Sequence, residues 1–148
     1  MRAKRRRLGQ NFLVDRHVAD RIVALLDDEP RRVLEIGPGR GALTGPLLDR
    51  FERVLALEVD PDLAPRLQSR FQGGPLEIRV ADALSEPLDP IVASEAPWQV
   101  ASNLPYSVGT AIVRRLLPRH DLFTRIVVML QREVAARVMA RPGGKGHG

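Results

Sequence analysis

Four groups of residues in this sequence have types and spacings that can do chemistry. The first is Gly37, Gly39 and Gly41, alternate glycines that follow the acid Glu35 in VLEIGPGRG. Glycines between a strand and a helix accept positive φ and let the backbone approach a ligand with no Cβ in the way. The helix behind them presents unpaired N–H groups. The second and third groups are acids that close later apolar runs, Glu58 in VLALEVD and Asp82 in LEIRVADA. Open α/β sheets bind ligands at such strand ends, where Glu58 can accept both hydroxyls of a ribose and Asp82 an exocyclic amine of adenine. Either acid can equally cap the segment that follows it. The fourth group is Asn103-Leu104-Pro105-Tyr106, in which a proline two positions after asparagine makes a rigid turn at a strand's end.

Other chemistries are disfavoured by what the sequence lacks. There is no cysteine, so no disulfide, thiolate nucleophile or cysteine-ligated metal can be built. The three histidines, His17, His120 and His147, are scattered and form no close-spaced pair, so no metal is expected. The pattern E-x-G-x-G-x-G also departs from the G-x-G-x-x-G of dinucleotide sites, which counts against a nicotinamide dehydrogenase. A glycine-rich turn with no ligand at all remains the plain alternative.

These groups need a scaffold of alternating strands and helices. Strands are predicted over residues 33–36, 54–59, 76–80, 98–102 and 123–130, the last apolar enough for burial in a parallel sheet. Between them the sequence reads as helices, the clearest beginning after the glycine turn, after Pro61 and over 108–117, with Ala111, Ile112, Leu116 and Leu117 inward. Residues 84–97 read as a loop with a weak helical turn. Ahead of the first strand, GQNFL and a candidate N-cap at Asp15 lead into an amphipathic helix over about 16–26. A last helix is expected over 131–140 before a glycine-rich loop at 141–148. The fold class is therefore α/β, a single domain of 148 residues with about five strands and a helix ahead of the first.

The formal net charge is +5, and the basic residues are almost all arginine, with Lys4 and Lys145 the exceptions. A polyanionic partner fits that balance, although so lopsided a ratio also follows from genome composition. Residues 1–8 form a flexible basic arm in which Arg5, Arg6 and Arg7 could track RNA phosphates; a solvated tail is the alternative. No apolar run approaches the roughly 18 residues of a membrane span, and LGQNFLVD is not a signal-peptide core. A cytoplasmic monomer without membrane contact is expected.

Taken together, GQNFL, LEIGPGRGALT, LEVD, ADA, NLPY and LQREVAARV occur in the order and spacing of the ribosomal RNA small-subunit adenine N6-dimethyltransferases, a class I methyltransferase family that this chain resembles from Lys4 to its last residue. The resemblance implies S-adenosylmethionine as cofactor, held by Asn11, Leu13, Gly37, Glu58, Asp82 and Asn103, with Gln10, Gly39, Gly41, Val59 and Ala83 alongside. It implies dimethylation of two neighbouring adenines near the 3′ end of small-subunit rRNA, with an immature small subunit as partner. Catalysis would fall to Asn103, Leu104, Pro105 and Tyr106: the Asn103 amide oxygen and the Leu104 carbonyl accept the N6 hydrogens, and the tyrosine offers a face on which the base stacks. The macrolide-resistance methyltransferases of large-subunit rRNA share this layout, and a non-catalytic rRNA-binding or ribosome-assembly module could use the same fold. Family members continue past PGGKGHG, through further strands of a seven-stranded sheet, into a helical C-terminal domain, and they usually carry tyrosine where His147 stands. The resemblance thus implies a Rossmann-like sheet that is incomplete here, at about five strands, with an N-terminal lid helix, in a fragment or minimal core that keeps most of the cofactor pocket and has little or no methylation activity.

Overall fold

The structure, a computed structural model, describes residues 16–132. Helix α1 (16–25) buries Ala19 and Ile22 and leads to β1 (Arg32–Ile36). Then follow α2 (Thr44–Arg50), β2 (Arg53–Glu58), α3 (Leu63–Arg70), β3 (Leu76–Val80), the short α4 (Asp89–Val92) with a 3₁₀ turn at Ala93–Glu95, β4 (Trp98–Pro105), α5 (Tyr106–Leu116) and β5 (Phe123–Gln131). The five strands are all parallel, in the order β3-β2-β1-β4-β5. The chain thus builds outward from β1 in one direction and then returns to build in the other. Open α/β sheets bind ligands at such a reversal, here the carboxyl ends of β1 and β4.

Both faces of the sheet are covered, and this explains the near-continuous apolar runs of its central strands. On one face α1 and α2 supply Ala19, Ile22 and Leu47 against Val33, Val54 and Ala101. On the other, α4 and α5 supply Val92, Ile112 and Leu116 against Leu34, Leu55, Trp98 and Val100. Gln99 is a polar exception, fully buried in β4. Its Oε1 accepts from the Asp27 N–H at 2.8 Å, and its Nε2 donates to the carbonyls of Asp27 and Pro30, both at 2.9 Å. One side chain thereby ties the α1–β1 connection to the middle of the sheet.

Three expectations are corrected. The fourth strand does not stop at Ser102: β4 pairs with β5 as far as Pro105↔Gln131, so Asn103, Leu104 and Pro105 form the end of the strand. Pro105 is then the N-cap of α5, which begins at Tyr106, and Leu117 lies beyond the helix at 55% exposure. The fifth strand is not sealed in the sheet. Only Phe123 of β5 is buried, because β5 is the edge of the sheet among the described residues. It also extends through Gln131, the expected first residue of a last helix; the remainder of that helix, from residue 133, lies outside the described residues. So do Arg5, Arg6, Arg7, Gln10, Asn11, Leu13, Asp15 and His147.

Candidate active site

The glycine turn follows directly on β1, and all three of its glycines have positive φ: Gly37 at 70°, Gly39 at 57° and Gly41 at 95°. At Gly37 glycine is required twice over. A Cβ there would stand 2.7 Å from Leu104 Cδ2, so the turn and the NLPY segment approach closely at Gly37. Register accounts for the meeting, since Ile36 pairs with Ser102, which leaves Gly37, just past β1, beside Asn103 and one residue short of Leu104. The Ser102 hydroxyl, fully buried, donates to the Ile36 carbonyl at 2.5 Å and fastens the two strand ends. Gly41 has a different role. A Cβ on it would meet Leu67 and Phe71 at 2.8 Å, so this third glycine lets α3 pack closely.

Glu58 ends β2 and is buried to 7% exposure. Its Oε1 accepts from the Gly39 N–H at 3.0 Å and its Oε2 from the Asp60 N–H at 2.9 Å. The carboxylate is held against the glycine turn by two backbone donors, and each oxygen keeps a further lone pair for a ligand hydroxyl. Asp60 Oδ1 accepts from the Asp62 N–H at 2.8 Å in the turn before α3, whose N-cap, Asp62, has no side-chain cap bond. Asp82 is exposed, and its Oδ1 accepts from the Leu84 N–H at 2.9 Å, so the capping role is realised on one of its oxygens. Val59 is 60% exposed, an apolar surface beside Glu58. Ala83 is buried in the core at 4% exposure, and its carbonyl accepts from Arg115 Nη1 at 2.7 Å.

Asn103 is half-buried, Leu104 is buried, and Tyr106 is 58% exposed at the first position of α5. The Asn103 Oδ1 accepts from Gln131 Nε2 at 2.8 Å. The sequence offers Gln131 no role of its own within LQREVAARV, because a glutamine that ends an apolar run carries no local signal of where its amide will reach. Glu35 is marked by the sequence only as the acid before the glycines. In the structure it is 1% exposed, and its Oε1 accepts from the fully buried Thr44 hydroxyl at 2.6 Å. Burial pushes the Glu35 carboxyl up to about 8; the Thr44 hydrogen bond opposes the rise and the charge of Glu58 adds to it. Among the described residues no group of His, Cys, Asp and Glu side chains could hold a metal ion.

A parallel sheet of this order, with a glycine turn and a seated acid at its reversal point, defines a Rossmann-like α/β protein with the fold of the class I methyltransferases. Comparison with known proteins makes the assignment specific. The sequence profile described as "Ribosomal RNA adenine dimethylase" matches residues 1–148, and the chain belongs to that family. The "Ribosomal RNA small subunit methyltransferase A" of Geobacter metallireducens is 47% identical over 148 residues, covering 97% of this chain and 54% of the relative. The protein of the same name from Geobacter sulfurreducens is 45% identical, again over 97% of this chain and 54% of the relative. The chain therefore spans about half the length of the relatives it matches. Among solved structures, a dimethyladenosine transferase from Plasmodium falciparum superposes with a TM-score of 0.63 at 26% identity, over 86% of this chain and 46% of the other. The 23S rRNA methyltransferase ErmE superposes with a TM-score of 0.59 at 35% identity, over 73% and 43%.

Proposed function

We propose that this chain is the cofactor-binding and catalytic core of an S-adenosylmethionine-dependent enzyme that dimethylates the N6 amines of two adjacent adenines near the 3′ end of small-subunit rRNA. The observation that carries the reading is the contact of Gly37 with Leu104: a ligand turn with no Cβ abuts a strand end that presents amide and carbonyl acceptors. The cradle suits the cofactor. Gly37 and Gly39 admit its methionine end, Glu58 takes the ribose hydroxyls with its remaining lone pairs, Asp82 faces the adenine amine, and exposed Val59 offers the ring an apolar surface. Asn11, Leu13 and Gln10 would complete the enclosure from the N-terminal side, and Ala83 contributes through the core beneath. Bound there, S-adenosylmethionine supplies a methyl group already activated by a sulfonium.

This chain's own residues then have one task, to present the amine. The adenine N6 lone pair is delocalised into the ring, so acceptors that take its two hydrogens favour a pyramidal nitrogen aimed for in-line attack. Asn103 Oδ1 and the Leu104 carbonyl are those acceptors, Pro105 sets the strand-to-helix corner, and the exposed Tyr106 ring is the platform on which the extruded base stacks. No strong base or metal is needed. A cleft wide enough to keep the monomethylated amine allows a second round.

Calorimetry with S-adenosylhomocysteine and with NAD tests the cofactor, and preferential NAD binding overturns it. Methyl transfer from labelled cofactor to immature small subunits, with wild type and Asn103→Ala compared, tests the chemistry. Undiminished transfer by Asn103→Ala removes the mechanism. The likeness to ErmE supports a second reading, adenine methylation of large-subunit rRNA; transfer to naked 23S rRNA in preference to small subunits would select it. Cofactor and RNA binding without transfer to either would leave a non-catalytic rRNA-binding module.

A further inference from the structure

We propose that Gln131 is a positioning residue that sets the orientation of the Asn103 side-chain amide through the Nε2–Oδ1 hydrogen bond of 2.8 Å. The inference rests on the reading that Asn103 presents the reacting amine.

The two ends of an asparagine amide are nearly the same size and opposite in polarity. Turned by half a rotation, Asn103 would aim two N–H donors at the hydrogens of the incoming amine, and acceptance would become repulsion. With Gln131 presenting its Nε2 side, as it does here, a donor stands beside the oxygen and disfavours that alternative. An amide oxygen has two lone pairs, so the one used by Gln131 leaves the other for the substrate.

The strand pairing brings the donor to the right place. Asn103 pairs with Met129 and Pro105 with Gln131, so on the parallel ladder Gln131 sits two residues beyond the partner of Asn103, and its longer side chain reaches back to it. Helix α5 holds this end of β5 down. Gly109 of α5 passes so close that a Cβ on it would lie 2.2 Å from Leu130 Cδ2 and 3.6 Å from Leu104 Cβ. The residue type also suits the chemistry. Glutamate would set acceptor against acceptor, while lysine or arginine would place a full positive charge beside a site that must receive a sulfonium. Glutamine orients the amide and adds no charge.

The test compares wild type, Gln131→Leu, Gln131→Glu, Asn103→Ala and the Gln131→Glu/Asn103→Ala pair. The readouts are kcat and KM for methyl transfer to small subunits, calorimetric affinity for S-adenosylhomocysteine, and the side-chain amide ¹⁵N resonance of Asn103. Both Gln131 variants are expected to lower kcat by about tenfold, the scale of one hydrogen bond, with KM and cofactor affinity unchanged. In the Asn103→Ala background, Gln131→Glu should cost nothing further. As pH falls toward the ordinary glutamate range, the Gln131→Glu deficit should shrink, because the protonated side chain can donate again. The Asn103 resonance should move in Gln131→Leu whatever the activity. The proposal is overturned by unchanged kcat in both variants, by an equal loss with Asn103 already removed, by loss of cofactor affinity in parallel, or by an unmoved resonance. If wild type transfers no methyl, the Asn103 resonance and the cofactor affinity carry the test; if Asn103→Ala transfers unimpaired, the underlying reading fails and the positioning role falls with it.

Discussion

Glu35 is a carboxyl buried to 1% exposure inside the sheet. It sits in β1, covered on both faces of the sheet, with the Thr44 hydroxyl donating to its carboxyl. In the unfolded chain this group ionises near its ordinary 4.5, whereas in the fold it keeps its proton until about 8. Between those values the folded state binds more protons than the unfolded state, so stability falls as pH rises through the window and levels off above it. Glu35→Gln keeps an acceptor for Thr44 and cannot ionise. Denaturation midpoints at about pH 5 and about pH 8 should show a smaller decline for the variant than for wild type; equal declines would refute the assignment. Gln99 illustrates the opposite case, a buried polar group with its amide satisfied on both ends. Gln99→Leu would strand the Asp27 N–H and two carbonyls, with an expected loss of about 2 kcal/mol in urea denaturation.

At the scale of elements, the connections after β1 and β4 decide the site. A parallel sheet delivers strand ends side by side, and what leaves each end determines whether anything can bind there. Gly37→Ala faces both an unfavourable positive φ and a Cβ pressed on Leu104. It should lower stability by about 1–3 kcal/mol and S-adenosylhomocysteine affinity by more than about tenfold, since Leu104 must move. Gly73 is the control, at φ +80° with nothing within 4 Å of the position a Cβ would take. Gly73→Ala should lose about 1 kcal/mol from backbone strain alone and leave cofactor affinity unchanged. Equal affinity losses at the two glycines would show that the approach to Leu104 is irrelevant. Helix α5 adds to the same corner, beginning at Tyr106 directly from Pro105, so that Tyr106 and the end of β4 share one junction.

For the whole molecule the governing quantity is charge. A net +5 on 148 residues favours a polyanion, and five of the cations fall within the first seven residues. If Arg5, Arg6 and Arg7 pair with phosphates, replacing them with alanine should weaken RNA binding across sequences and reduce the salt slope by about one for each phosphate no longer neutralised. An unchanged slope would make the arm a bystander. Among the described residues no helix is long and apolar enough to cross a membrane. At the edge of the sheet among the described residues, β5 leaves Thr124 and Arg125 exposed, and Arg125 Nε donates to the Leu25 carbonyl at 2.8 Å.

The sequence by itself determined what depends on neighbouring residues: the alternation of strands and helices, the glycine turn, and the strand-end placement of Glu58 and Asp82. Period and turn chemistry are local, and so they are legible. The motif order was also enough to point to the family. It could not extend β4 through Pro105, because that length is set by pairing with β5. Nor could it predict that Glu58 would be seated by Gly39, that Ser102 would fasten to Ile36, or that Gln131 would reach Asn103. Each of those bonds joins groups on different strands or on the turns that leave them. Only the strand order and register of the folded sheet bring them within hydrogen-bonding distance.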